Sequence, residues 1–175
     1  MAVNQALWWS AVLLSAVAGW LDCRSRRIPN WLTLPSLGFG VLANTVGFGW
    51  QGTKTALGGA GLALGLLLPL VLVRGLGAGD WKLMGALGAY LGPKQVLLVL
   101  LATILIAGLM AAVQITWRKR WRVALSNLLE LMRGFFMFGL RAHPRITLDN
   151  PGMLSLPFGV AVAGATALCY WVAVL

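Results

Sequence analysis

The 175-residue chain is 59% hydrophobic and only 10% charged, and it carries a net charge of +10. Soluble domains hold about 25% charged residues, so the composition excludes an ordinary soluble domain and describes an integral membrane protein. The positive charge does not build a nucleic-acid-binding face. It falls in clusters between apolar runs, as it does in cytoplasmic loops.

In chain order, the first apolar run covers about residues 7–21 and ends in Asp22-Cys23-Arg24-Ser25-Arg26-Arg27. No Lys or Arg precedes Ser15-Ala16-Val17-Ala18, so the run reads as a retained span rather than a signal peptide. Ile28-Pro29-Asn30 turns the chain, because the residue before proline disfavours helix. A second span follows over about 31–48, then a short polar link through Gln51 and Lys54. The third span covers about 55–73, where Gly61 and Gly65 offer a small-residue face for close packing. Arg74 closes it, and the loop Gly77-Ala78-Gly79-Asp80 follows.

The fourth run, 81–91, stops at Gly92-Pro93-Lys94, and the fifth covers about 96–117. Residues 121–140 mix apolar positions with Arg122, Glu130 and Arg133. Leu125, Leu128, Leu129, Met132 and Phe136 share one face there, which predicts an amphipathic helix lying on the membrane. The last span covers 153–175. Cys23 and Cys169 fall near opposite ends of their spans and are expected to remain unpaired, and no C-x-x-C pair is present for zinc.

The chain thus reads as all-α: a polytopic membrane protein of about six transmembrane helices plus one cytoplasmic amphipathic helix. It forms a single membrane domain over 1–175, with a basic loop at about 118–152. Twelve basic residues share one side by this scheme and only Lys54 and Lys94 lie on the other. The positive-inside rule makes the larger group cytoplasmic. Most of the nine tryptophans fall at span ends, as an interfacial belt requires.

Only four carboxylates occur: Asp22, Asp80, Glu130 and Asp149. An Asp at a helix centre costs about 2.5–3.5 kcal/mol on insertion scales. From Lys94 back to Asp80 is roughly 21 Å of helix, against a hydrocarbon core of about 30 Å. Asp80 is therefore expected to be recessed and open to the cytoplasm. Gly77 and Gly79 let backbone or substrate approach it closely. Two aspartates in one recess suffice for peptide hydrolysis: one takes a proton from water while the other, protonated, polarises the scissile carbonyl. The sole histidine, His143, lies in a Pro-containing loop, which argues against a serine or cysteine triad.

Other readings stand beside this one. Asp22 could be a solvated interfacial charge, and Asp80 a helix N-cap. Arg24, Arg26 and Arg27 read as topology signals, and Lys82 as a snorkelling flank or a group that tunes the site. The pair could also serve as the relay of a small proton-coupled transporter or channel. A non-catalytic scaffold of a pilus or secretion machine is a third reading.

The stretch Asp22-Cys-Arg-Ser-Arg-Arg-Ile-Pro-Asn-Trp-Leu-Thr-Leu-Pro35, followed by Gly77-Ala-Gly-Asp-Trp-Lys-Leu83 and Gly85-Ala-Leu-Gly-Ala-Tyr-Leu-Gly92, resembles the type IV prepilin peptidases. These are G-x-G-D membrane aspartic proteases that remove the leader of pilin-like precursors. The resemblance implies Asp22 and Asp80 as the catalytic pair, with Gly77, Gly79 and Lys82 shaping or tuning the site. It also implies an active site at the cytoplasmic face of a bacterial inner membrane, a prepilin-like protein as substrate, the bilayer as surroundings, and no cofactor or metal. Larger members carry an N-terminal segment with paired cysteines and also methylate the new amino terminus. The absence of that segment before the first span is similar to the short, peptidase-only branch of tight-adherence (Flp-type) pilus systems. Helix polarity makes Asp80, which precedes a helix, the expected base for water, and Asp22, which follows one, the expected proton donor.

Overall fold

In the computed structural model, residues 5–72, 75–117 and 157–174 are described. The predicted amphipathic helix and the basic loop lie outside them. Among the described residues the protein is all-helical, with α1 (Gln5–Ser25), α2 (Asn30–Leu72), α3 (Ala78–Trp117) and α4 (Phe158–Val174). Three of these, α1, α2 and α3, are long and apolar enough to cross a membrane, and α4 is a shorter apolar helix.

A straight helix of the length of α2 would span about 65 Å, roughly twice the hydrocarbon thickness. Its backbone leaves helical geometry at Gly49 (φ 59°, ψ −144°). The chain folds back at this point. Asn30 bonds Lys82, and Leu64 bonds the adjacent Trp81, although the two α2 residues would stand about 51 Å apart in a straight helix. The hydroxyls of Thr45 and Thr53 meet at 2.8 Å across the bend.

The second break is at Gly92 (φ 77°, ψ 176°). Glycine adopts positive φ at little cost, and Pro93 then suits the first turn of a helix. The expected multi-residue links at 51–54 and 92–95 are therefore single-residue breaks, with helix resuming directly after each glycine.

Every residue from Leu83 to Gly92 is buried, so the first segment of α3 is enclosed on all sides, as only a central helix can be. Small residues permit this. The backbones of Gly59 and Gly88 touch, and a Cβ on Gly40 would stand 3.0 Å from that of Ala89. The close-packing face differs from the one expected, because Gly61 and Gly65 both face open space. The buried stripe of that segment instead runs through Ala56, Gly59, Ala60 and Ala63. Asn44 secures the far end of the central segment, donating to the carbonyls of Ala89 (2.9 Å) and Tyr90 (3.2 Å) beside the Gly92 break.

Helix α1 runs antiparallel to α4. Trp9 packs on Tyr170 at one end (ring centroids 5.0 Å apart), and Gly19 meets Gly159 at the other. Cys23 and Cys169 are both free thiols. The outer faces carry large exposed apolar side chains, among them Leu13, Val46, Leu105 and Trp117. Such a surface suits lipid rather than water.

Candidate active site

Helix α1 continues through Asp22 instead of ending before it, which places the carboxylate in the last turn, only 7% exposed. Its Oδ2 accepts the backbone N–H of Gly159 at 2.8 Å. Gly159 lies in the first turn of α4, where N–H groups have no partner within the helix. The approach is close on both sides. A Cβ on Gly159 would lie 2.9 Å from the Asp22 Cβ, and one on Gly19 would lie 3.0 Å from the Gly159 carbonyl oxygen.

Immediately after Ser25 the chain turns. Arg26 takes φ 51°, the one positive φ at a non-glycine residue among those described, and its N–H bonds the Asp22 carbonyl at 2.8 Å. A left-handed residue just past a helix is a common way to close its C-terminus, although glycine usually fills the position. The Ser25 hydroxyl bonds the carbonyls of Leu21 and Arg27 on either side of the turn.

Asp80 arrives from the opposite direction. Helix α3 begins at Ala78, inside the G-x-G-D stretch, and the N–H of Trp81 bonds the Gly77 carbonyl at 3.1 Å. Asp80 is therefore a first-turn residue rather than the N-cap. A Cβ on Gly77 would lie 2.9 Å from Asp80 Oδ2, and one on Gly79 would lie 2.9 Å from the Ile28 carbonyl oxygen. Side chains at either position would displace the carboxylate or push α3 away from the turn after α1. Asp80 Oδ1 is buried without a hydrogen-bond partner. Leaving a buried acceptor unpaired costs about 1–3 kcal/mol, and such atoms call for an explanation in the chemistry of their surroundings.

Asp22 and Asp80 line one cavity of about 250 Å³, together with Gly77, Ala78, Gly79, Ile28, Arg26 and Arg27. Four of the five residues singled out from sequence thus meet there. Lys82 does not line the cavity, and its ammonium donates to Asn30 Oδ1 at 2.9 Å, joining the starts of α2 and α3. Next to it, Trp81 Nε1 bonds the Leu64 carbonyl at 2.8 Å. These two bonds fix the first turn of α3 between the two halves of α2.

Three participants were not assigned to the site from the sequence. Arg26 and Arg27 looked no different from Arg24, yet Arg24 turns to the face of Trp20 (5.7 Å) while they line the cavity. Gly159 contributes only a backbone N–H, for which the residue type gives no signal. Its presence also changes the electrostatics, because both carboxylates now face a helix N-terminus. Helix polarity therefore does not assign their proton roles.

Among the described residues, an all-helical fold with membrane-length apolar helices and two carboxylates in one glycine-walled cavity defines a class of membrane protein with a recessed acidic site. The family model for the type IV leader peptidase family matches residues 9–112, and the chain belongs to that family. The match includes Asp22 and the whole of Gly77–Lys82, and it ends before α4. The prepilin leader peptidase/N-methyltransferase of Xanthomonas campestris pv. campestris is 30% identical over 116 residues, covering 60% of this chain. The chain spans 40% of the length of that relative. No solved structure matches it.

Proposed function

We propose that this protein is a membrane aspartic endopeptidase that cleaves the leader of prepilin-like precursors. The observation carrying this reading is that Asp22 and Asp80, separated in sequence by the whole of α2, line the same small cavity with Gly77 and Gly79. Family membership supports the substrate class, and the prepilin leader peptidase activity for which the Xanthomonas relative is named agrees with it.

The chemistry follows from the two carboxylates. A water molecule between them loses a proton to one as its oxygen attacks the scissile carbonyl carbon. The other carboxyl donates its proton to the carbonyl oxygen. The tetrahedral intermediate then collapses, a proton passes to the leaving nitrogen, and the pair returns to sharing one proton. Gly159 holds Oδ2 of Asp22, which leaves Oδ1 for this exchange. The glycines keep side chains away from the carboxylates, so an extended substrate backbone can enter.

Six crossings follow when the breaks at Gly49 and Gly92 are taken as the tips of helical hairpins, with α1 and α4 as single crossings. Lys54 and Lys94 then share one end, since Thr55 lies against Gly92, and the aspartates lie at the other. The positive-inside rule puts the aspartate end in the cytoplasm of a bacterial inner membrane. A single membrane domain over 1–175 completes the reading.

The test is processing of a pilin-like precursor by purified protein in detergent, where no proton gradient exists. Release of the leader at one defined bond supports a peptidase. Dependence of all activity on a sealed, energised vesicle would support a proton-coupled carrier instead.

A further inference from the structure

We propose that Arg26 and Arg27 form an anion subsite beside the aspartates, which reads an acidic side chain of the polypeptide substrate. The proposal rests on the peptidase reading and deepens it. Three observations carry it. First, both residues line the cavity that holds Asp22 and Asp80, whereas Arg24 lies over Trp20 at the outer face.

Second, Arg26 occupies left-handed backbone (φ 51°) at the helix-closing position, where glycine would fit with less strain. An unfavourable conformation retained by a charged residue at a cavity wall points to use of its side chain. Third, among the described residues no ion pair within 4.0 Å joins either guanidinium to a carboxylate, even though two carboxylates share the cavity. The two cations are left for a group from outside.

A guanidinium presents a planar fork of donors that suits a carboxylate, bound through two parallel hydrogen bonds. A substrate carboxylate is favoured over a lipid phosphate because the arginines share the cavity with the reacting groups. Arg26 lies one helical turn beyond Asp22, about 5–6 Å along the axis. Extended chain advances about 3.3 Å per residue, so the acidic residue belongs within about four residues of the scissile bond.

The experiment compares precursor peptides carrying Glu or Gln at each position within about four residues either side of the cleaved bond. They are processed by the wild-type protein and by the Arg26→Gly/Arg27→Gln variant, in vesicles with and without anionic lipid. Glycine suits the left-handed backbone at 26, so thermal unfolding of the variant in detergent should match or exceed that of wild type. At one position the wild-type protein should favour Glu over Gln by about tenfold or more in kcat/KM, the range for hydrogen bonds to charged groups. In the variant that ratio should fall to about one through a raised KM. No preference at any position, or a preference that survives in the variant, overturns the proposal. Equal losses for Glu and Gln peptides that appear only with anionic lipid assign the arginines to lipid and also overturn it. If the wild-type protein cleaves no peptide of the series, the peptidase reading fails and takes the subsite with it.

Discussion

The backbone N–H of Gly159 donates to Oδ2 of Asp22 at 2.8 Å, across 137 residues of sequence. Helix α4, which lies beyond the family match at 9–112, therefore orients one of the two carboxylates. The contact depends on the missing side chain: a Cβ on Gly159 would lie 3.1 Å from that same oxygen. Gly159→Ala should displace Asp22 by a few tenths of an ångström or more. Because misplacing a reacting group by about 1 Å can cost about 100-fold, kcat should drop about tenfold or more with KM little changed. Steady-state kinetics on one precursor, with circular dichroism to verify helix content, makes the comparison.

Packing around the central segment allows a paired test. Gly88→Ala would drive a methyl group into the backbone of Gly59, whereas Gly61 and Gly65 face open space. Overpacking costs about 1–3 kcal/mol, so Gly88→Ala should lower the thermal midpoint in detergent. Gly61→Ala and Gly65→Ala should leave it unchanged or raise it, since alanine is the better helix former by about 1 kcal/mol. Equal losses at all three positions would place the contact face wrongly.

Much of this arrangement was legible in the sequence, for physical reasons that also mark the limits. Asp22 and Asp80 stood out because an apolar chain holds few carboxylates and charges in hydrocarbon are costly. The breaks near Gly49 and Gly92 were legible to within a few residues because glycine and proline interrupt helices. What failed was phase. Gly61 and Gly65 carry the familiar spacing, but the buried face of that helix passes through Gly59 and Ala63, one turn-phase away. A small-residue spacing fixes a face only relative to a neighbour, and the neighbour was unknown. Gly159 was invisible because its contribution is a main-chain donor, and the contact of Lys82 with Asn30 was not legible because it depends on how α2 starts.

Sidedness can be tested without any activity. In a background lacking Cys23 and Cys169, a single cysteine at Ser25, exposed beside the aspartates, should resist a membrane-impermeant thiol reagent on intact cells. A cysteine at Gln51, exposed at the Gly49 end, should react. The opposite pattern would place the cavity outside the cytoplasm.

The central claim is that Asp22 and Asp80 act together on one peptide bond, and leader release by the Asp22→Asn and Asp80→Asn proteins, measured beside wild type on the same precursor, tests it most directly. Asparagine keeps the size of the side chain, and in the Asp22→Asn protein the amide oxygen can still accept the Gly159 N–H, so both variants should fold. Each removes a proton-transfer group, with an expected loss of at least about 100-fold and up to about 10,000-fold in rate. Wild-type rates from both variants, in folded protein, would contradict the account.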